Sequence, residues 1–186
     1  MKVVAGFAFL LLAAGSAWGD TYTIDPNHTL PVFEVGHLGF STQRGRFEQT
    51  AGTIHLDWEK RTGSVTWTIQ ADSIDMGQAK WNEHLKSPDF FNVASFPTIT
   101  YRAERLQFQG DTPVSAEGEL TLLGVARPVK VSILRFTCGT HPINHKELCA
   151  ADIEATLKRS EFGMSKYLPG VSDAVRVLVP VEAYKD

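Results

Sequence analysis

The feature that most constrains the fold of this chain is a period-two alternation of apolar and polar residues along most of its length. Alternation of this kind places one side of a β-strand in a core and the other side in solvent. It therefore predicts a protein made mostly of half-buried strands. The apolar sets are Phe33, Val35 and His37; Val65, Trp67, Ile69 and Ala71; Ile99, Tyr101 and Ala103; Val114, Ala116, Gly118, Leu120 and Leu122; Val129, Val131 and Ile133; Ala151, Ile153, Ala155 and Leu157; and Val175, Val177, Val179 and Val181.

The alternation changes phase within two of these runs. Phe47 occupies an odd position whereas Ile54 occupies an even one, and Gly52 at the change predicts a β-bulge. Tyr101 and Leu106 differ in the same way. Long bent antiparallel strands are what barrel closure requires. We therefore predict an all-β fold, a closed up-and-down barrel of about eight strands, with a β-sandwich as the alternative.

One stretch departs from the alternation. Residues 79–86 contain good helix formers, and Ser87 and Pro88 supply a cap and a first position for a second helical turn. We predict one or two short helices within residues 78–92. The side chains expected to face inward are Trp81, Leu85, Phe90 and Phe91.

The N-terminus has the features of an export signal. A lysine precedes an uncharged run from Val3 to Trp18, which is shorter than the roughly 20 apolar residues of a spanning helix. Ala17 and Gly19 supply the small residues of a cleavage site. We predict a signal peptide of residues 1–19, a mature domain of residues 20–186 and a periplasmic location. An uncleaved membrane anchor is the alternative.

The chain contains two cysteines, Cys138 and Cys149. Because disulfides persist in the compartments to which proteins are exported, we predict that these two residues pair. His141 and His145 lie between them, so a zinc site of two cysteines and two histidines is the alternative. Pro142 opposes a helix that would present both histidines on one face. We therefore expect a disulfide and no metal.

Several functional classes lose support from the composition and from missing motifs. The formal net charge is −3, whereas a nucleic-acid-binding domain usually carries a basic excess. The sequence contains no nucleophile elbow, no zinc-protease motif and no phosphate-binding glycine loop. The histidines His28, His37, His55 and His84 are scattered singly. We therefore predict no catalytic residues and no enzyme activity.

The predicted inner face of the barrel contains many small residues. An eight-stranded barrel is wide enough to hold its own side chains or one small ligand. The small residues favour a ligand, which must be apolar because no charged cluster falls on the inner faces. The alternative is that the bulky Trp67, Tyr101 and Phe33 fill the interior. The small inward residues are Ala51, Ala71, Ala103, Ala116, Gly118, Ala151 and Ala155.

Seven blocks of sequence, taken in order, carry a resemblance to a known family. The blocks are Tyr22–His28, Phe33–Gly39, Ser41–Phe47, Asn82–Asn92, Phe96–Thr100, Leu120–Val129 and Arg159–Met164. In this order they resemble the YceI-like family of exported bacterial lipid-binding proteins, and the resemblance covers essentially residues 20–186. The segment that contains the two cysteines is not shared by all members.

The resemblance implies an extended, lipocalin-like antiparallel barrel of eight strands around an elongated apolar channel. It also implies a bound polyisoprenoid, either a quinone such as ubiquinone or a polyprenyl lipid, with no other cofactor. A membrane cytochrome of the b561 type is the redox partner that the resemblance suggests. The alternatives are a carrier of another long-chain amphiphile such as a fatty acid or amide, an enzyme that acts on a bound lipid or quinone, and a structural or adhesion module without a ligand.

The two lines of reasoning together predict the residues of the ligand site. His37, Trp81 and His84 are expected near a polar head group, although packing in the core explains them equally well. The residues expected to line the channel are Phe33, Val35, Ile69, Tyr101, Val131, Ile153, Phe162 and Val177.

Overall fold

A computed structural model describes residues 19–186, so the predicted signal peptide, apart from Gly19, lies outside the described residues. These residues form one antiparallel sheet of twelve strands and an α-helix. The strands are β1 (Asp20–Ile24), β2 (Val32–His37), β3 (Ser41–Phe47), β4 (Thr50–Asp57), β5 (Thr62–Gln70), β6 (Ile74–Asp75), β7 (Thr98–Ala103), β8 (Leu106–Gln109), β9 (Thr112–Leu122), β10 (Val125–Thr140), β11 (Glu147–Lys158) and β12 (Val171–Lys185), and the helix is α1 (Ala79–Lys86).

The sheet closes on itself as a barrel with eight strand positions. At each of the first four positions, two short strands follow one another end to end and together take the place of one long strand. These pairs are β1 with β2, β3 with β4, β5 with β6, and β7 with β8. The long strands β9, β10, β11 and β12 occupy the other four. The barrel closes because β12 pairs with β2 along its first half and with β1 near its end. This confirms the predicted up-and-down barrel and excludes the sandwich.

Side-chain hydroxyls replace the backbone ladder where the first strands are interrupted. Thr29, between β1 and β2, is fully buried. Its hydroxyl donates a hydrogen bond to the carbonyl of Glu182 (3.2 Å) and accepts one from the N–H of the same residue (3.1 Å). The Ser73 hydroxyl similarly accepts the N–H groups of Glu48 (3.2 Å) and Gln49 (3.1 Å). At these two interruptions a side-chain hydroxyl therefore keeps backbone groups hydrogen-bonded.

The phase change predicted at Gly52 occurs earlier in the chain. β3 ends at Phe47 and β4 begins at Thr50, and both residues are buried, so the inward face passes from odd to even positions between them. Gly52 lies inside β4, where a Cβ atom would come within 2.5 Å of the carbonyl oxygen of Thr66. The expectation that Ala51 faces inward is wrong, since the earlier phase change leaves it exposed.

The helix α1 lies within the predicted range of residues 78–92, and turns follow it in place of a second helix. Asn82 fastens α1 to β6. Its side-chain oxygen accepts the N–H of Met76 (2.7 Å), and its amide nitrogen donates to Asp75 (3.1 Å). The helix is thereby held over one end of the barrel.

No helix formed by residues 19–186 is long and apolar enough to cross a membrane.

The two ends of the barrel differ in how they are covered. We call one the closed end. It is bounded by the β4–β5 and β10–β11 turns, and the rings of Trp58, Phe108 and Phe136 meet there. We call the other the open end. It is bounded by the β2–β3 turn, α1 and residues 163–170.

Candidate functional site

The inward faces of the eight strand positions enclose an elongated cavity of about 660 Å³. Lining residues such as Tyr22 and Leu56 near the closed end are buried. The exposed lining residues all lie at the open end, and they are Leu38, Trp81, His84 and Tyr167. The cavity therefore reaches solvent through the open end.

The long strands β10, β11 and β12 supply an aliphatic wall. Their alternation turns small or branched side chains inward and charged ones outward, as predicted from the sequence. Because Ala151 and Ala155 face the cavity, no side chain from β11 fills the space in front of them. The lining residues of these strands include Val129, Val131, Ile133, Ala151, Ile153, Ala155, Leu157, Val175, Val177, Val179 and Val181.

The interrupted strands and the turns after α1 supply an aromatic wall. The ring of Phe47 meets the ring of Phe91 edge-on, with 5.3 Å between their centroids. Phe33 lies 6.0 Å from Phe47 and 6.4 Å from Phe91. All three rings line the cavity. Their mutual contacts define the shape of the cavity wall on this side.

Tyr101 brings a polar atom to the cavity wall, but that atom already has partners. Its hydroxyl donates to the carbonyl of Val129 (3.1 Å) and lies 3.4 Å from that of Ala116. Burial raises the pKa of Tyr101 to about 12, so the phenol is neutral at physiological pH. The residue therefore acts as an apolar surface toward the cavity.

Arg159 is the one charged side chain in the described lining, and it is buried to 3% exposure. Its guanidinium donates four hydrogen bonds to backbone carbonyls. The acceptors are Ser172 (2.9 Å), Met164 (2.8 Å), Lys166 (2.9 Å) and Val171 (2.9 Å). Burial lowers the pKa of Arg159, which the nearby Asp173 carboxylate opposes. Arginine side chains remain charged in proteins, so Arg159 is a cation that ties the loop of residues 163–170 to the barrel.

Polar groups with free hydrogen-bonding capacity lie at the open end. His37 ends β2, and His84 lies on α1. The His84 ring contacts Phe90 (5.0 Å between centroids) and Tyr167 (6.1 Å). Among the described residues, the side chains of His37 and His84 make no hydrogen bond. The two imidazoles are therefore available to a polar group at the mouth of the cavity.

The closed end is sealed by aromatic packing. Trp58 packs edge-on against Phe108 (6.3 Å between centroids) and lies 6.1 Å from Phe136. Its indole N–H donates to the Asp20 carboxylate (3.2 Å), and Lys185 lies 3.0 Å from the other oxygen of that carboxylate. Among the described residues, none of the cavity-lining side chains at this end is exposed to solvent.

A cross-strand disulfide joins Cys138 to Cys149 near the closed end. The two residues lie directly opposite one another in β10 and β11, which confirms the predicted pairing. The zinc alternative is wrong because both sulfur atoms are bonded to each other. His141 instead organises the hairpin, since its Nδ1 accepts the N–H groups of Ile143 (3.2 Å) and Asn144 (3.3 Å).

Most of the residues predicted to form the ligand site do line the cavity. His37, Trp81 and His84 line its open end. Whether any of these residues contacts a ligand stays a prediction. The predicted channel residues that line the cavity are Phe33, Val35, Ile69, Tyr101, Val131, Ile153 and Val177.

Phe162 is the exception. After Lys158 the chain leaves β11 and enters a 3₁₀ turn, Arg159–Phe162, so the alternation of the strand no longer decides which way a side chain points. Phe162 is buried to 1% exposure and does not line the cavity. The expectation that Phe162 faces the channel is therefore wrong, and its side chain lies in the core that surrounds the cavity.

Sequence reasoning did not identify Arg159, Leu38 or Tyr167 as site residues. Arg159 begins one of the sequence blocks described above, but a single arginine after a strand does not indicate four backbone acceptors. Leu38 and Tyr167 lie in turns with positive φ angles (53° and 63°), where alternation carries no information. Only the fold brings these two segments to the open end.

A cluster of ionisable groups lies outside the cavity lining. His28 Nδ1 lies 2.7 Å from Asp25 Oδ2 and 3.8 Å from Glu182 Oε2. The hydrogen bond with Asp25 raises the pKa of His28. Burial raises the pKa of Asp25, but hydrogen bonds from His28 and Asn27 outweigh it and leave that pKa below its ordinary value. The three side chains lie close enough to share a metal ion, but His28 is already hydrogen-bonded to Asp25. When His28 is protonated, it also pairs with Glu182 of β12.

The fold and the site together define a closed antiparallel barrel with an apolar cavity that opens at one end. The model of the YceI-like domain matches residues 22–183. The chain is 32% identical over 186 residues to Protein YceI of Salmonella agona, with 97% of this chain and 96% of the relative covered. The chain belongs to the YceI-like family.

Solved structures have the same fold. Burkholderia cenocepacia BcnA superposes with a TM-score of 0.71 at 22% identity, covering 86% of this chain and 98% of that one. The Campylobacter jejuni YCEI protein gives 0.70 at 22% identity, covering 81% and 89%. A polyisoprenoid binding domain from Saccharophagus degradans, implicated in plant cell wall breakdown, gives 0.67 at 14% identity, covering 89% and 98%.

Proposed function

We propose that this protein is an exported, periplasmic carrier that holds an isoprenoid lipid, either a polyprenyl lipid or an isoprenoid quinone, in the barrel cavity. The observation that carries the proposal is the cavity itself, an apolar space of about 660 Å³ that is closed at one end and open at the other. Its volume lies in the range of roughly 300–1,000 Å³ that is usual for ligand pockets.

The energetics favour a hydrocarbon chain as the occupant. Burial of apolar surface contributes about 0.8 kcal/mol per CH₂ group, so each five-carbon unit contributes roughly 3–4 kcal/mol before the cost of ordering the chain. The wall offers no free charge, since the one cation, Arg159, is bonded to four carbonyls. A charged group buried at this depth would find no opposite charge. The one buried side-chain polar atom without a partner among the described residues is the indole nitrogen of Trp67, which lines the cavity.

The open end suits a small polar head group. His37 and His84 can each donate or accept a hydrogen bond, and Trp81 offers an aromatic face beside them. A quinone ring carries two carbonyl oxygens that accept hydrogen bonds, and a polyprenyl alcohol carries a hydroxyl. We propose that the head group lies at these three residues and that the tail lies between the aliphatic and aromatic walls.

Three further observations support the ligand class, the compartment and the absence of turnover. The neighbour from Saccharophagus degradans is described as a polyisoprenoid binding domain, which favours the same ligand class here. The disulfide suits an oxidising compartment, and the sequence of residues 1–19 predicts export to it. We propose carriage without turnover, because the described residues of the cavity wall include no nucleophile with an adjacent base. A b561-type cytochrome that receives a quinone is part of the proposal.

Mass spectrometry of the organic extract from purified protein tests the ligand class. We expect an isoprenoid lipid in stoichiometric amount, and we expect added ubiquinone to bind the delipidated protein. An extract that contains fatty acids or amides in its place would favour the alternative carrier function. An extract with only background lipid, together with no binding of ubiquinone, would contradict the proposal.

A further inference from the structure

The open end carries most of the exposed large apolar side chains of the described residues. Among the seven such residues, five surround this opening, and we call them the apolar rim. Leu134 and Ile143 are the other two, and neither belongs to the opening. The rim consists of Leu38 (57% exposed), Phe40 (92%), Trp81 (42%), Tyr167 (50%) and Leu168 (36%).

The rim is continuous with the cavity. Leu38, Trp81 and Tyr167 line the cavity and are also exposed, so each side chain contacts both the cavity and the solvent. The rim residues come from three separate segments, namely the β2–β3 turn, α1 and the loop of residues 163–170. An apolar tail that leaves the cavity would therefore pass directly onto apolar side chains.

Hydrogen bonds hold the rim in its exposed position. The N–H of Leu38 donates to the carbonyl of Gly170 (2.6 Å), which joins the β2–β3 turn to the loop. The N–H of Val171 donates to the carbonyl of Tyr167 (2.8 Å), and the Arg159 guanidinium donates to the Met164 and Lys166 carbonyls of the same loop. The apolar side chains are thus presented on an anchored backbone, and their exposure is built into the fold.

We propose that the apolar rim is a membrane-docking surface, through which the open end seats on a lipid bilayer. The proposal rests on the proposed carrier function for the identity of the cargo, since an isoprenoid tail would enter and leave through this opening. Contact with a bilayer lets the tail move between two apolar phases without crossing water.

The chemistry of the rim suits the interface of a bilayer. Tryptophan and tyrosine are enriched at the level of lipid head groups, and lysine side chains extend from apolar stems to the charged surface. Lys80 precedes Trp81 on α1. The ammonium group of Lys166 lies 5.6 Å from the centre of the Tyr167 ring and 3.4 Å from the Asp89 carboxylate. One lysine of the open end therefore lies against a rim aromatic ring, and a second lysine is the chain neighbour of another.

The size of the rim favours a bilayer over a stable protein partner. Its exposed side chains offer on the order of 500 Å² of apolar surface. A stable protein complex usually buries about 800 Å² on each partner. A patch of this size at the mouth of an apolar cavity suits a contact that forms and breaks quickly, as a carrier that visits a membrane requires.

Flotation with vesicles of phosphatidylethanolamine and phosphatidylglycerol that contain no isoprenoid tests the proposal. We expect the purified exported protein to float with the vesicles, and Phe40→Asp to weaken its binding roughly tenfold or more. Leu168→Asp should act in the same direction. Ile143→Asp is the matched control, since Ile143 is 82% exposed on the β10–β11 hairpin at the closed end and its variant should bind as the wild type does. All variants share the same N-terminus, so any contribution from it cancels.

Three outcomes would overturn the docking proposal. One is a wild type that does not float, and another is Phe40→Asp and Leu168→Asp variants that float like the wild type. The third is a wild-type dimer in gel filtration that Phe40→Asp converts to a monomer, because the rim would then bind a second copy. The isoprenoid content of the extract is measured in parallel. If Phe40-dependent flotation occurs but the extract holds no isoprenoid and added ubiquinone does not bind, the carrier function fails while docking stands. If the protein binds an isoprenoid but does not float, docking fails while the carrier function stands.

Discussion

The two ends of the barrel are stabilised by different means. At the closed end, the rings of Trp58, Phe108 and Phe136 pack together, and a disulfide joins β10 to β11. At the open end, the backbone of a loop is held by the single buried cation Arg159, and apolar side chains remain exposed. The closed end therefore resembles an ordinary protein core, whereas the open end carries an apolar surface that no part of the described chain covers.

The difference shows how a stable barrel can keep an accessible interior. Apolar packing that sealed both ends would bury more surface and would also exclude a ligand. Backbone hydrogen bonds to a buried guanidinium hold the loop of residues 163–170 without filling the cavity, because the planar donors of arginine point away from its aliphatic stem. Four predictions test this division, in order of decreasing effect on the free energy of unfolding.

The largest effect is expected for Arg159→Met at the open end. The substitution keeps an apolar stem of similar length but leaves four backbone carbonyls without their donor. We expect the free energy of unfolding to fall by about 3–5 kcal/mol, since unsatisfied buried acceptors and lost charge-assisted bonds are costly. Urea unfolding followed by circular dichroism measures the loss. Hydrogen exchange should also accelerate in residues 163–170.

Arg127→Met is the control for this prediction. Arg127 is exposed and makes one side-chain hydrogen bond, from its Nε to the carbonyl of Glu161 (3.3 Å). Its replacement should change the free energy of unfolding by no more than about 0.5 kcal/mol. If Arg159→Met and Arg127→Met unfold at the same urea concentration, the buried arginine does not hold the open end.

The disulfide at the closed end should contribute somewhat less. Replacing Cys138 by Ser and the buried Cys149 by Ala removes a short covalent loop, which contributes about 2–3 kcal/mol in the loop-entropy model. The loss appears in the urea midpoint of the double variant, while vesicle flotation, which depends on the other end, should be unchanged. Intact mass after alkylation without reductant tests the pairing itself, because two alkylated thiols would show that the bond does not form.

Ile69→Trp tests whether the middle of the barrel, between the two ends, is an empty cavity or a packed core. Ile69 lines the cavity, so the larger indole side chain of tryptophan can occupy space that a ligand would use. We expect the delipidated variant to unfold within about 1 kcal/mol of delipidated wild type, and we expect it to lose ubiquinone binding. Delipidated protein is needed for both, because a bound ligand raises apparent stability.

Ile74→Trp is the matched control for this variant. Ile74 is 2% exposed in the core and does not line the cavity. An indole at this position should lower the free energy of unfolding by about 1–3 kcal/mol, because no empty volume receives it. An Ile69→Trp protein that is equally destabilised, or that binds ubiquinone as tightly as the wild type, would show that position 69 does not border a usable cavity.

The smallest effect concerns the ion pair of His28 with Asp25, which lies outside the cavity. The pKa of His28 is raised in the folded state, so its contribution to stability is fully present below the ordinary histidine pKa of about 6.5 and is lost as the pH rises through the folded value. The melting temperature of His28→Gln should therefore fall furthest below that of the wild type near pH 5.5 or so, and the gap should narrow toward pH 8.5 or so.

The lowered pKa of Asp25 sets the acidic limit of that window. Its contribution is present above the ordinary carboxyl pKa and disappears as the pH falls through the lower folded value. The comparison therefore uses mildly acidic rather than strongly acidic buffer. A gap between His28→Gln and wild type that does not change with pH would contradict the ion pair.

The continuous half of the barrel could be predicted closely from the sequence. Along β10, β11 and β12 each inward position is apolar and each register is regular apart from one bulge and one shift, so alternation alone identified Val131, Ile153 and Val177 as lining residues. In the interrupted half, alternation located Phe33, Ile69 and Tyr101 correctly but put the phase change at Gly52 and turned Ala51 inward. A hydroxyl such as that of Thr29 can replace backbone hydrogen bonds between strands, and local alternation does not predict where this happens.

Local sequence pattern is sufficient to predict the class of the fold, the pairing of the two cysteines and most of the apolar lining. These depend on local periodicity and on chain chemistry, which act between near neighbours. The tertiary structure alone decided which end of the barrel is open. Leu38, Trp81 and Tyr167 are far apart in the chain and follow no common pattern, and they meet only because barrel closure brings the β2–β3 turn, α1 and the Arg159-bound loop to the same opening.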